Sequence, residues 1–126
     1  MQTILVADDQ DHLRLLVRST LDDPQFKVLE AADGREALEL ARRSSPDLMI
    51  LDWMMPEMSG VEVLAQLRED RETTAIPVIM LTAKAQKIDR NQALLLGIRA
   101  YLIKPFSPVE LLDRVHKALR PIGTAD

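Results

Sequence analysis

The chain has 126 residues, enough for one domain with one real core and leaving little room for a second. A net charge of −4 and an aromatic content of 3% argue against direct nucleic-acid binding, which draws on a concentrated basic face and stacking platforms. The absence of cysteine excludes disulfides, thiolate metal sites and cysteine nucleophiles, and it suits a reducing compartment. No apolar run reaches transmembrane length and no charged-then-apolar leader precedes the first strand, so a soluble cytoplasmic protein is expected.

The first predicted element is the strand "TILVA" (3–7), which runs into "DDQD". Leu13, Leu16, Val17 and Leu21 then recur at helical spacing, and Asp11 falls in the first turn, where a carboxylate favours the helix dipole. "KVLEA" (27–31) is the second strand, and Asp33 with Glu36 has the spacing of a capping box for the second helix. "DLMIL" (47–51) is the third strand and delivers Asp52 at its end. Ser59 with Glu62 caps a third helix built on Val61, Leu64 and Leu67. "PVIML" (77–81) is the fourth strand and leads to Thr82. A fourth helix is predicted over roughly 85–96; it has no comparable cap, and Gly97 is its stop. "AYLI" (100–103) is the fifth strand and leads to Lys104. Ser107, Pro108 and Glu110 then start a last helix carrying Leu111, Leu112, Val115 and Leu119. Pro121 ends it, so the domain is expected to span 1–120, with 121–126 a short tail or the start of a linker.

Three of the five strands are continuously apolar, as strands covered on both faces are. Five strand-helix units predict an α/β fold with an open, doubly wound parallel sheet. In such sheets ligands bind beyond the carboxyl ends of the strands, where strand order reverses. Asp8 and Asp9 follow the first strand, Asp52 the third, Thr82 the fourth and Lys104 the fifth, so one rim collects three carboxylates, a hydroxyl and an ammonium.

That crowding has a cost. Two unit charges about 5 Å apart at an effective dielectric of about 20 repel by roughly 3 kcal/mol. Full solvation would remove the cost, and Asp8 and Asp9 also read as loop acids, with Asp9 capping the first helix. A bound cation would remove it too. Oxygen ligands alone describe a hard-cation site, and two or three aspartates suit magnesium, which keeps several waters. With Lys104 and Thr82 the rim makes a cradle for a tetrahedral anion such as phosphoryl, and an aspartate inside it can act as a nucleophile. Thr82 alone is a common strand-end residue and Lys104 alone a plausible turn lysine. Their convergence carries the functional reading.

In order and spacing, "LVADDQD", "MILDWMMPEMSG", "VIMLTA" and "AYLIKPF" resemble the receiver domain of bacterial two-component response regulators, either a single-domain, chemotaxis-regulator-like protein or a receiver cut from a longer chain. The resemblance covers essentially the whole chain. It implies a flavodoxin-like sheet of strand order 2-1-3-4-5 with five helices. It implies that Asp52 is phosphorylated by a sensor histidine kinase or a histidine phosphotransfer protein. Asp8, Asp9, Asp52 and the Met54 carbonyl would hold Mg2+, and Lys104 would pair with the phosphoryl oxygens beside a cis Lys104–Pro105 bond. Thr82 would move onto the phosphoryl group, with small Ala83 leaving room, and Tyr101 would change rotamer. Such a protein is a switch that assists its own phosphotransfer and slow dephosphorylation rather than a turnover enzyme. Its readout would fall on the face of the fourth helix, fifth strand and fifth helix, toward a downstream protein or fused output domain. The state would be monomer or phosphorylation-dependent dimer, with no membrane insertion and no direct nucleic-acid contact.

The residues agree with that implication. His12 and His116 sit in predicted helices away from the rim, so a transferred group would come from a partner's histidine. An aspartyl-nucleophile phosphatase would need an aspartate at position 54, which is methionine, and a flavin carrier would want a Ser-, Thr- or Gly-rich loop after the first strand in place of "ADDQD". Met54 and Lys84 flank the site where the family tunes dephosphorylation. Met54 cannot orient a water by hydrogen bonding, so a long-lived phosphoryl group is expected. Of the three leucines in "ALLLG" (93–97), two are expected in the core and one exposed, with a partner contact as the sharper alternative.

Overall fold

A computed structural model gives the fold and describes residues 1–83 and 95–120. The strands are β1 (Gln2–Ala7), β2 (Phe26–Ala31), β3 (Leu48–Asp52), β4 (Val78–Ala83) and β5 (Ala100–Lys104). The helices among the described residues are α1 (Asp11–Thr20), α2 (Gly34–Ser44), α3 (Gly60–Glu69) and α4 (Pro108–Ala118). The helix expected over roughly 85–96 lies outside the described residues except at its last positions, so α4 is the helix expected as the fifth. Its expected stop, Gly97, has φ +72°, the left-handed conformation in which glycine is unstrained. The expected tail at 121–126 also lies outside the described residues.

All pairings are parallel and the sheet order is β2-β1-β3-β4-β5. The central strands β3 and β4 are buried almost throughout, which is why their sequences are apolar without alternation. Alternation survives in where each residue packs. Leu5, Met49, Leu51, Val78 and Met80 join Ala37, Leu38, Val63, Leu64 and Leu67 in one core cluster, so α2 and α3 cover that face. Ile4, Val6, Ile50, Ile79, Leu81 and Leu102 join Val17, Leu21, Leu111 and Val115 in the other, under α1 and α4.

The caps form as the spacings predict. The backbone N–H groups of Glu36, Glu62 and Glu110 donate to the side chains of Asp33, Ser59 and Ser107. At α1 the capping alternative fails. Gln10 occupies the capping position without a side-chain bond, and Asp9 does not cap. The apolar stripe of α1 is also narrower than its leucines suggest, since Leu16 is 37% exposed and only Val17 within the helix is fully buried. The last helix stops at Ala118, short of Pro121, because the residue before a proline is pushed out of the helical region.

Arg68 is a long-range fastening that the sequence does not announce. Its half-buried guanidinium donates to the carbonyls of Thr74 (2.9 Å) and Ile76 (2.8 Å) in the loop before β4, and to Leu96 (2.7 Å) in the turn before β5. Leu95 beside it is 88% exposed while Leu96 packs on the core, so of the expected leucine trio these two divide as outer and inner.

Candidate functional site

The chain leaves β1 for β2 on one side and later returns to place β3 on the other. The gap between the carboxyl ends of β1 and β3 is therefore the point where strand order reverses. Ala7 and Leu51 are in register across that gap, so the residues that follow them, Asp8 and Asp52, meet. Asp52 is in turn in register with Leu81, and Ala83 with Lys104, which brings the ends of β4 and β5 to the same rim.

Asp8, Asp9 and Asp52 each present a carboxylate oxygen within 4.8 Å of those of the other two. Their environments differ sharply. Asp8 is fully buried and Asp52 nearly so, while Asp9 is exposed. Lys104 Nζ lies 2.9 Å from Asp8 Oδ2 and 3.2 Å from Asp52 Oδ1, so one ammonium serves both buried carboxylates. The remaining Asp8 oxygen accepts from the Gln10 backbone N–H at 2.9 Å. Arg14, reaching back from α1, donates to the Asp8 carbonyl at 2.6 Å and pairs with Glu30 and Asp11. Asp9, Gln10, Asp52, Met54, Ala83 and Lys104 line an open cleft of about 340 Å3 over this cluster.

The electrostatics follow from burial. Desolvation, then the Asp8 charge, raises the Asp52 pKa from 3.8 to about 6, against the opposing pull of Lys104 and of the Met54 backbone hydrogen bond. Burial works to lower the Lys104 pKa, but the two carboxylates outweigh it and hold the ammonium above its ordinary value. At Asp52 the mutual repulsion expected of the acids is therefore second to burial, and it comes from Asp8.

Two further observations bear on what the cleft accepts. The Thr82 hydroxyl oxygen is buried and has no hydrogen-bond partner among the described residues, an arrangement that carries a desolvation cost unless something comes to meet it. Gly60 donates to the Trp53 carbonyl at 2.9 Å, and a Cβ at position 60 would stand 2.1 Å from the Asp52 carbonyl oxygen. The start of α3 thus presses directly on the backbone of the site.

The expected site residues fall as follows. Asp8, Asp9, Asp52, Met54 and Lys104 are brought together at the cleft, with the Met54 side chain 64% exposed. Thr82 is buried in β4, and Tyr101 is half-buried in β5 against the core cluster under α2 and α3. The Lys104–Pro105 peptide is cis. His12 and His116 are exposed on α1 and α4, and the His116 ring packs near Phe26. Arg14 and Gln10 were not foreseen. Nothing in the sequence separates Arg14 from a surface arginine until α1 folds back over β1.

Comparison with known proteins agrees with this geometry. The family described as response regulator receiver domain matches residues 4–116. The phosphate regulon transcriptional regulatory protein PhoB of Pseudomonas aeruginosa is 39% identical over 125 residues, covering 99% of this chain and 55% of its own length. The transcriptional regulatory protein SrrA of Staphylococcus aureus is 42% identical over 117 residues, covering 93% of this chain and 47% of its own. The chain thus spans about half the length of these relatives. Among solved structures, the chemotaxis protein CheY4 of Vibrio cholerae superposes with a TM-score of 0.87 at 34% identity, over 94% of this chain and 99% of that one. The receiver domain of the sensor histidine kinase PA1611 of Pseudomonas aeruginosa, determined with magnesium coordinated in its active-site cleft, gives 0.83 at 29% identity, over 94% and 97%. Among the described residues no helix is long and apolar enough to cross a membrane. The chain belongs to the response regulator receiver domains, signalling switches of two-component systems with a flavodoxin-like fold.

Proposed function

We propose that residues 1–120 form a phosphorylation-dependent switch in which Asp52 accepts a phosphoryl group from a histidine of a partner kinase or phosphotransfer protein. The observation that carries this reading is the buried carboxylate of Asp52, held beside Lys104 at the strand-order reversal and open to one cleft. Phosphoryl transfer needs positioning and charge neutralisation more than elaborate acid-base chemistry. In the transfer an Asp52 carboxylate oxygen forms the new O–P bond as the N–P bond to the partner's histidine breaks, and the imidazole leaves with the electron pair and takes up a proton. Lys104 follows the charge onto the phosphoryl oxygens, and the Thr82 hydroxyl donates to one of them.

The donor set suits Mg2+: carboxylate oxygens from Asp8, Asp9 and Asp52, gathered within 4.8 Å, with the Met54 carbonyl as a fourth ligand. When bound, the ion supplies the positive charge that offsets the clustered carboxylates and the incoming phosphoryl oxygens. Asp9, exposed at the cleft mouth, is the ligand that gives entry from solvent, while Asp8 is committed to Lys104 and the Gln10 N–H. A partner delivering its histidine must also cover the rim. The adjoining cleft lined by Leu13, Leu16, Pro105 and Phe106, which shares Gln10 and Lys104 with the site, is the apolar surface beside that path. The output is read on the face made by the helix expected at 85–96, β5 and α4, through Thr82 and Tyr101. The receiver acts on a downstream protein or an output domain in the cytoplasm.

Trp53, next to Asp52 and half-buried, reports on the site. Its fluorescence is expected to respond saturably to magnesium and then to beryllium fluoride, a phosphoryl mimic, with the second step lost in Asp52→Asn. Mass spectrometry after incubation with acetyl phosphate is expected to show one added phosphoryl group in wild type and none in the variant. Phosphoryl incorporation that persists in Asp52→Asn, or is absent from wild type, overturns the assignment.

A further inference from the structure

Charge is distributed unevenly along this chain. Residues 84–120 carry eight Lys or Arg against three Asp or Glu, whereas the rest of the chain carries eight against seventeen. The folded chain concentrates part of that excess. Arg99, Arg114 and Lys117 line a recess of about 360 Å3 whose floor is Ala100 and Ala118, two residues small enough to leave it open. Arg99 leans across it and donates to the Ala118 carbonyl at 3.2 Å. One carboxylate answers these cations among the described residues: Asp113 Oδ2 accepts from Arg114 at 2.7 Å and from Lys117 at 3.2 Å. The Lys117 hydrogen bond, with the Arg114 charge behind it, holds the Asp113 carboxyl below its usual range, so it stays ionised and is already shared. The recess keeps a net positive charge on a chain that is acidic elsewhere.

We propose that this recess docks an acidic segment of a partner protein, with its carboxylates on Arg99, Arg114 and Lys117. Two guanidinium groups and an ammonium around a shallow opening match successive Asp or Glu side chains, the arginines in bidentate geometry. A nucleic acid is the poorer match. Among the described residues no aromatic side chain lines the recess for a base to stack on, whereas a short acidic segment needs only the three cations. Position gives the docking a use. Ala100 opens β5 and Lys104 closes it, about 13 Å farther along the strand, so the recess and the phosphoryl site sit at opposite ends of one strand. The inference deepens the proposed output face by naming the chemistry of its partner, and it rests on that reading for the docking to be an output.

The test uses fluorescein-labelled hexaglutamate followed by anisotropy at low and high KCl, on the unphosphorylated chain. Arg99→Glu with Lys117→Glu is compared with wild type and with a control reversal on α2, Arg35→Glu with Arg43→Glu. Lys117→Glu alone, whose side chain makes no main-chain bond among those described, keeps the test alive if the double variant loses its fold by circular dichroism. The expected result is salt-sensitive binding that weakens about tenfold in the double variant, about threefold in the single one, and not in the control. Absence of salt-sensitive hexaglutamate binding, equal weakening in the control, or equally tight binding of hexathymidylate through the same residues overturns the proposal. Phosphoryl incorporation at Asp52 is measured separately on the same variants, so failure of docking and failure of the phosphoacceptor reading are distinct results.

Discussion

The Lys104 ammonium lies 3.2 Å from Asp52 Oδ1 and joins two strand ends that are 52 residues apart in sequence. The same nitrogen reaches Asp8 at 2.9 Å, so its removal strands two buried carboxylates at once. Lys104→Met is expected to cost about 2 kcal/mol of stability at pH 7.5 without divalent cation, by urea denaturation. The cost should shrink at pH 5, where Asp52 escapes by taking up a proton, and magnesium should recover part of it. An equal loss at both pH values would contradict this account.

Asp52 itself makes stability depend on pH. Its folded pKa of about 6 lies above the ordinary 3.8, so the native state holds that proton more tightly than the unfolded chain. The contribution is fully present below the ordinary value and is lost as pH rises through about 6. Asp52→Asn removes the penalty. The variant should be more stable than wild type by about 1–2 kcal/mol at pH 7.5 in the absence of metal, and the difference should vanish near pH 4. Paired denaturation curves at the two pH values decide it.

The buried hydroxyl of Thr82, without a hydrogen-bond partner among the described residues, predicts a split between stability and response. Thr82→Val replaces it with a methyl of similar size, and the resting fold should be unchanged or stabler by up to about 1 kcal/mol. Affinity for beryllium fluoride should fall roughly tenfold. A variant that loses stability without losing affinity would assign the hydroxyl a structural role.

At Gly60 the argument is steric. A Cβ there meets the Asp52 carbonyl oxygen at 2.1 Å, and backbone cannot yield as a side-chain end can. Gly60→Ala is expected to cost about 3 kcal/mol and lower the melting temperature by roughly 10 °C. The Trp53 response to magnesium should weaken with it, since α3 is pushed off the end of β3.

Met54 lines the cleft with its side chain largely in solvent and offers no hydrogen bond to an attacking water. Met54→Asn supplies one and should shorten the life of the phosphoryl group on Asp52 roughly three- to tenfold. Decay after removal of the donor measures it. An unchanged or longer lifetime would count against the role.

The strands and capped helices were legible because their signals are local. β3 and β4 read as buried from their apolar runs alone, and each Ser or Asp with Glu three residues later became the cap it spelled. Convergence of Asp8, Asp52 and Lys104 was legible because parallel strands must end on one side. The difference between Asp8 and Asp9 was not. Adjacent aspartates are equivalent in sequence, and only the path of the chain beyond β1 decides that one is fully buried beside Lys104 and the other faces the cleft mouth. Arg14 and Arg68 were invisible for a related reason. The bonds that matter here, Arg14 to the Asp8 carbonyl and Arg68 to Leu96, Thr74 and Ile76, end on main-chain carbonyls, which every residue possesses, so no side-chain pattern marks them.

Arg68 has a mechanical consequence. It fastens the loop before β4 and the turn before β5 to α3, while Thr82 and Lys104 lie at the far ends of those strands, on the rim with Asp52. One helix thus braces the sheet at both ends: α3 holds the amino ends of β4 and β5 through Arg68 and presses on the Asp52 main chain through Gly60.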